Sequence, residues 1–235
     1  MRPWHQWGWY VSALVYEWAY VQVAHQTDTD MFAYLSEHVV GATVADCGCG
    51  PGIVTEKFLQ AGAARVVAID ANVKMIGKAR KRLAKRIANG QVLVRHQSYE
   101  GEALPRLRQK ELGGQGFDII LFKRSLYMPR PRALVTLRQV ATTLQPRGVI
   151  VVIHPERLLR RYAFAPPFGV TGYTFLHLVN RALSRLAQGC GVEEYTLYTR
   201  AELLALLREA VPAAHVQLIP SRQRPYNLAA VHVPC

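Results

Sequence analysis

The stretch that most constrains this chain is residues 44–52, Val-Ala-Asp-Cys-Gly-Cys-Gly-Pro-Gly, where a short apolar run breaks into three glycines at every second position. Residues 53–61 then follow a helical pattern. A strand that ends in such a bare backbone lets a ligand lie against the main chain, and the following helix presents its N-terminal N–H groups there. Tight turns and helix–sheet contacts also use glycines, so the turn alone leaves a packing interpretation open beside a ligand site.

The rest of the chain alternates strands and helices. Strands are predicted near 65–70, 91–96, 117–122, 149–153, 215–220 and 227–233, and helices near 30–39, 73–89, 132–144 and 199–211. Right-handed crossovers then require a parallel sheet with helices on both faces and ligands at the carboxyl ends of the strands. The predicted fold class is α/β: a doubly wound, mainly parallel seven-stranded sheet, closed by a hairpin with an antiparallel strand at the C-terminal end.

A carboxylate, Asp70, ends the second predicted strand, 18 positions after Gly52. In a βαβ unit this position lies at the carboxyl end of the neighbouring strand, where the side chain can accept hydrogen bonds from both hydroxyls of a ribose. The alternative is a helix N-cap, since Asn72 and a predicted helix follow. The position at the strand end favours the ribose interpretation.

The length of 235 residues fits a single α/β domain with additions. We predict an N-terminal helical lid or cap at 1–40, a core at 41–154, an inserted segment that covers the substrate at 155–195, and a helix and strands that complete the core at 196–235. The aromatic helix predicted at 11–24 can equally pack on the core. The amphipathic helix near 171–187 can cover a pocket, dock on a membrane surface or face the core.

The formal net charge of +13, from 29 Lys and Arg against 16 Asp and Glu, attracts phosphates, anionic lipid heads or acidic substrates. Eight of the positive charges lie between Lys74 and Arg95 with no acid among them, and a solvated helix face is the favoured interpretation.

Four cysteines form neither a disulfide framework nor a zinc pattern, so we predict no metal, a reducing compartment and a cytoplasmic location. Residues 9–24 are apolar but short for a bilayer span, and no cleavable signal peptide is evident.

Four features, in order along residues 44–153, resemble the class I S-adenosylmethionine-dependent methyltransferases. They are Asp46-x-Gly48-x-Gly50-x-Gly52, Asp70, the strand 117–122, and Leu144-Gln145-Pro146-Arg147-Gly148 before the fifth strand. Nicotinamide-binding folds normally show Gly-x-Gly-x-x-Gly, and here the third glycine comes one residue earlier. The resemblance implies an enzyme with a Rossmann-like methyltransferase fold and S-adenosyl-L-methionine as cofactor, bound by the core at 41–154.

The resemblance also implies roles for single residues. The three glycines would lie along the methionine part of the cofactor with Asp46 beneath them, and Asp70 would hold the ribose hydroxyls. Ser98 and Tyr99 would meet the adenine, while Tyr16 resembles the tyrosine of a Tyr-Asp element in the helix before the core. The full predicted cofactor set is Tyr16, Asp46, Gly48, Cys49, Gly50, Gly52, Asp70, Ala71, Ser98, Tyr99 and Lys123.

A sulfonium is an activated methyl donor, so the enzyme mainly aligns the acceptor and excludes water. A hydroxyl acceptor would gain from a general base. The catalytic candidates are His154, directly after the fifth strand, and Tyr127 as a positioning group, with a purely structural histidine as the alternative.

The aromatic N-terminus and the inserted segment can build an apolar cover, which predicts a small, fairly apolar acceptor. The alternatives are an RNA- or protein-modifying enzyme that docks through its basic surface, and a cofactor-binding member without methyl transfer. Nucleic acid is less favoured because Asn/Asp-Pro-Pro-Tyr/Phe and Lys-Asp-Lys-Glu patterns are absent. No transmembrane segment is predicted, and peripheral membrane contact stays open.

Overall fold

The structure, a computed structural model, describes residues 25–155, 196, 198–220 and 226–234. The predicted helices at 11–24 and 171–187 lie outside the described residues, as do residues 1–24 of the predicted lid and 156–195 of the predicted inserted segment. In chain order the elements are α1 (His25–Val39), β1 (Thr43–Cys47), α2 (Ile53–Gln60), β2 (Arg65–Asp70), α3 (Val73–Arg82), α4 (Ala84–Ala88), β3 (Val92–His96), α5 (Ala103–Glu111), β4 (Phe117–Lys123), α6 (Arg130–Ala141), β5 (Leu144–Pro155), α7 (Arg200–Ala210), β6 (His215–Ile219) and β7 (Tyr226–His232).

Seven strands form one sheet in the order β3-β2-β1-β4-β5-β7-β6. The first five strands are parallel to one another, while β7 is antiparallel to both β5 and β6. This arrangement confirms the predicted fold class, including the closing hairpin and its antiparallel strand.

The apolar strands are buried on both faces because each face carries a layer of helices. One core cluster joins the sheet to α1, α2 and α3, and the other joins it to α5, α6 and α7. Neighbouring strand residues alternate between the two: Val44 and Val66 belong to the first cluster, and Ala45 and Val67 to the second. The near-continuous apolar runs in the sequence follow from this burial.

Several predicted boundaries differ from the structure; the helix predicted at 30–39, for example, includes residues from His25 onward. The helix predicted at 73–89 is two helices, because Leu83 is both the C-cap of α3 and the N-cap of α4. The strand predicted at 149–153 begins already at Leu144, which pairs with Phe117, and an irregularity separates this pair from the next, Ile119 with Val149. Arg147, with φ 66°, turns the chain between the two pairings. Among the described residues, no helix is long and apolar enough to cross a membrane.

Candidate active site

The candidate site lies at the carboxyl edge of the sheet, where the strand order reverses. The chain runs outward from β1 through β2 to β3 on one side, and from β4 to β5 on the other. The loops that leave β1 and β4 therefore diverge and open a crevice between them. Asp46, Asp70, Lys123 and His154 all lie at or near the strand ends that line this edge.

The glycine turn after β1 has three residues with left-handed backbone, Gly48, Gly50 and Gly52, with φ of 82°, 55° and 79°. The amides of Gly48 and Cys49 both donate to the carbonyl oxygen of Ile69, at 2.8 and 3.0 Å, so the turn folds over the end of β2. The turn is thus fixed to the neighbouring strand by its own backbone.

Close packing is a second reason for two of these glycines. A Cβ at Gly48 would lie 2.4 Å from Cβ of Ser125, and one at Gly52 would lie 2.9 Å from Cδ1 of Leu83. Ser125 also donates from its hydroxyl to the Cys47 carbonyl at 2.6 Å. The packing interpretation of the glycines is therefore correct at these two positions, and it is compatible with a ligand site because Gly50 stands between them.

Asp46, at the penultimate position of β1, is buried and accepts a hydrogen bond of 2.6 Å from the hydroxyl of Thr55 in the first turn of α2. Burial raises the pKa of this carboxyl to about 6, and the neighbouring charge of Asp70 acts in the same direction. Thr55 is a partner that the sequence motif did not identify. The N-terminus of α2 has no side-chain cap, which leaves its first amides directed at the same edge.

Asp70 is bound at both carboxylate oxygens. Its Oδ2 accepts from the amide of Gly50 at 2.9 Å, and its Oδ1 accepts from the amide of Asn72 at 2.7 Å. Burial raises its pKa, while these two amides oppose the shift. The N-cap of α3 is Asn72, whose side chain accepts from the amides of Lys74 and Met75, so the alternative of a helix-capping Asp70 is wrong.

The two residues predicted at the adenine differ in their surroundings. Tyr99 donates from its hydroxyl to the Ser125 carbonyl at 2.5 Å, and its ring meets Phe122 edge-on with centroids 5.3 Å apart. Burial raises the pKa of Tyr99. Ser98 is exposed and accepts from the amide of Glu100. Tyr99 therefore ties the loop after β3 to the loop after β4, and Ser98 lies on the rim, as does the exposed Ala71.

Lys123, the last residue of β4, is buried and forms an ion pair with Asp28 of α1. Asp28 also accepts from Nζ of Lys57 in α2 at 2.7 Å. Burial lowers the pKa of Lys123 well below its ordinary range, and the adjacent Arg124 lowers it further. The buried carboxylate of Asp28 thus joins α1, α2 and the end of β4. The ion pair of Lys123 with Asp28 is a structural link to α1. A contact of Lys123 with the cofactor stays a prediction.

His154 is fully buried, and its Nε2 accepts a hydrogen bond of 3.0 Å from the amide of Tyr198. An imidazole nitrogen that accepts carries no proton, so the neutral ring holds its proton on Nδ1. The rings of Tyr127 and Tyr198 lie 5.6 and 5.3 Å from it, centroid to centroid, and Tyr198 donates to the carbonyl of Met128. The predicted pair His154 and Tyr127 is therefore brought together, within a cluster of three rings.

The carboxylates at this edge of the sheet fit S-adenosylmethionine. The cofactor carries a ribose diol that donates hydrogen bonds and, in its methionine part, an ammonium and a sulfonium that carry positive charge. Asp46 and Asp70 are carboxylates whose burial raises both pKa values, and a bound cation relieves that cost. The described residues contain no group of His, Cys, Asp or Glu that could hold a metal ion. The predicted contact Tyr16 lies outside the described residues.

Residues 44–148 match a family model described as a methyltransferase domain. No curated protein sequence matches the chain. Among solved structures, magnesium protoporphyrin IX methyltransferase from Synechocystis PCC 6803 with bound S-adenosylmethionine has 16% identity and a TM-score of 0.57, over 88% of this chain and 78% of that chain. N-methyltransferase NodS from Bradyrhizobium japonicum WM9 has 16% identity and a TM-score of 0.56, over 88% and 93%. An O-methyltransferase family protein from Burkholderia thailandensis has 15% identity and a TM-score of 0.60, over 88% and 56%.

The doubly wound sheet, with a glycine turn after β1 and an acid at the end of β2, and the methyltransferase-domain match together support an enzyme that uses S-adenosylmethionine. The match over residues 44–148 and the shared fold support a class I S-adenosylmethionine-dependent methyltransferase. The fold, the enzyme class and the cofactor expected from the sequence are thereby confirmed.

Proposed function

We propose that this methyltransferase transfers the methyl group to a small, fairly apolar acceptor by in-line displacement. The observation that carries the proposal is the cluster of Tyr127, His154 and Tyr198 next to the cofactor edge, with the imidazole in its neutral form. Rings and a neutral imidazole suit an apolar acceptor better than a polyanion. The neighbour whose name gives magnesium protoporphyrin IX as its substrate supports the same substrate class.

In this proposal the glycine turn and the two carboxylates hold the cofactor. Asp70 binds the ribose hydroxyls, Asp46 supports the turn under the methionine part, and Tyr99 with Ser98 borders the adenine. Cys49 and Ala71 contribute backbone beside these carboxylates. When bound, S-adenosylmethionine supplies a methyl group that its sulfonium has already activated.

Tyr127 and His154 act on the acceptor rather than on the cofactor. Since the methyl donor is activated, the protein contributes alignment of the acceptor and exclusion of water. His154 accepts from the Tyr198 amide through Nε2, so this nitrogen is occupied and cannot also take a proton from the acceptor. We therefore assign His154 to positioning the ring of Tyr127 and the acceptor, in preference to general-base catalysis.

The test is transfer of label from methyl-labelled cofactor to pooled apolar small molecules, bulk RNA and protein, at low and high salt. We expect small-molecule products whose yield is insensitive to salt, because phosphate docking weakens steeply with salt and an apolar pocket does not. Label that appears only in RNA or protein, and is lost at high salt, would reject the small-molecule acceptor. Cofactor binding without transfer to any pool would identify a binder.

Macromolecular acceptors would use the basic surface, and its position argues against them. The acid-free basic stretch forms α3 and α4, which contact β2 and β3, whereas the ring cluster lies at the ends of β4 and β5. A polymer held on α3 and α4 would thus engage the opposite side of the central strand β1 from the ring cluster.

A further inference from the structure

The helices α3 and α4 form one continuous outer surface at the β3 side of the sheet. The amide of Leu83 donates to Ala79 and the amide of Ile87 donates to Leu83, so i to i−4 hydrogen bonding continues through the junction. Residues 73–88 therefore extend about 24 Å at the rise of an α-helix. Met75, Ile76, Ala79 and Leu83 face the core. The other side of the helix pair faces solvent.

Aliphatic side chains lie on that outer side. Val73 is 52% exposed and Ile87 is 37% exposed, and they are two of the four large hydrophobic side chains that are exposed in the described part of the chain. They are 14 positions apart with Arg80 midway, so all three lie along one line of the helix surface. Gly77 and Ala84, which are also exposed, add no large side chain to the helix surface between Val73 and Ile87.

Cations flank this line without local acids. Between Asp70 and Glu100 the chain has no acidic residue. Arg80, Lys81 and Lys85 are exposed and form no ion pair with any residue that the structure describes. Two cations of this stretch pair with acids from other elements, Arg82 with Glu56 and Arg95 with Glu111. The outer surface therefore carries a net positive charge.

We propose that α3 and α4 dock the enzyme on an anionic membrane surface. Charge complementarity requires a partner rich in phosphate or other anions. Lipid is favoured over RNA because the exposed side chains among the cations are aliphatic, and aliphatic groups enter the headgroup region, whereas single-stranded RNA is bound by stacking on aromatic rings. Residues 71–95 contain no Phe, Tyr or Trp.

This surface begins at the cofactor edge. Val73 is three positions after Asp70, and the N-cap Asn72 shares a hydrogen bond with that carboxylate. A membrane bound along α3 and α4 would reach the rim of the site while leaving the ends of β4 and β5 open. The docking surface does not depend on which acceptor the site takes.

The test measures binding of the full chain to vesicles of phosphatidylcholine with and without phosphatidylglycerol. We expect binding only with the anionic lipid, and weakening as salt rises. Each cation near such a surface strengthens binding by about fivefold, so R80Q/K81Q/K85Q should bind about a hundredfold more weakly. The matched control R106Q/K110Q/R208Q removes three exposed cations from α5 and α7, on the opposite helix layer, and should bind nearly as well as the unmodified chain.

A second variant, V73S/I87S, separates insertion from simple charge attraction. We expect it to bind anionic vesicles at low salt but to dissociate at a lower salt concentration than the unmodified chain. Equal losses in the two triple variants, or no vesicle binding by the unmodified chain, would overturn the proposal. So would retention of RNA that anionic vesicles cannot displace. Unchanged thermal unfolding of the variants, whose altered side chains are exposed, excludes misfolding as the cause.

Discussion

Asp70 holds the glycine turn and the start of α3 through two charge-assisted hydrogen bonds, to Gly50 and Asn72. In D70N the amide group can replace only one acceptor and sets an NH2 against a backbone donor. We expect the dissociation constant for S-adenosylmethionine to rise about tenfold or more, since a hydrogen bond to a charged group contributes about 1.5–3 kcal/mol. Isothermal titration calorimetry measures this change.

Asn72→Ala is the matched control for Asp70. It removes the N-cap of α3, which costs about 1 kcal/mol of folding stability, but leaves the Asp70 carboxylate in place. We expect a lower unfolding temperature with nearly unchanged cofactor affinity. If both variants lost cofactor affinity equally, Asp70 would act only by holding the fold.

His154 accepts a hydrogen bond from the buried amide of Tyr198. Gln in its place retains an acceptor for the Tyr198 amide, whereas Leu leaves that buried amide unsatisfied at a cost of about 1–3 kcal/mol. We expect H154Q to lose less than about tenfold in kcat and to keep the pH profile of methyl transfer. Loss of the acidic limb of the profile in H154Q would assign general-base catalysis to the histidine instead.

At the scale of elements, the strands and helices could be predicted because their signals are local. The alternation from β1 to β5 and the turn at Gly48 are set by periodicity and by residues next to each other in sequence. The link between Asp28 and Lys123 joins positions 95 apart, and the Ser125 contact with Gly48 needs the register of β1 against β4. No local pattern carries those contacts. Likewise, Nε2 of His154 accepts from the amide of Tyr198, which lies 44 positions later in the chain. This contact could not be predicted from residues next to His154.

The attachment of α1 to the sheet leads to a prediction about stability. Asp28→Asn leaves the buried Lys123 without its carboxylate, and breaking a buried pair from one side costs about 3 kcal/mol or more. Lys57→Gln removes the partly exposed partner of the same carboxylate and should cost under about 1 kcal/mol. Urea unfolding of the two variants measures the difference. Similar losses in both would mean that Lys57, rather than Lys123, holds α1 in place.

At the scale of the whole molecule, a cluster at the edge opposite the site joins α1 to the C-terminal hairpin. The hydroxyl of Tyr34 hydrogen-bonds with Nε2 of His232, 198 positions away, and accepts from the side-chain amide of Gln217 at 2.7 Å. The rings of His38 and His215 lie 6.3 and 6.4 Å from that of His232, centroid to centroid. Three histidines from three elements therefore meet where the first described helix contacts the last strand.

Acid should weaken this connection. Burial lowers the pKa of His232 below its ordinary 6.5, and the neighbouring His38 and His215 lower it further. The unfolded chain then binds the proton more readily than the folded one, so the contribution of His232 to stability is complete above pH 6.5 and falls as the pH drops below it.

Urea unfolding from neutral to mildly acidic pH should show this loss. His232→Gln, which keeps an acceptor for Tyr34, should reduce the slope in that window, while the exposed control His96→Gln should leave it unchanged. A slope that survives in the His232 variant would place the acid-sensitive group elsewhere in the molecule.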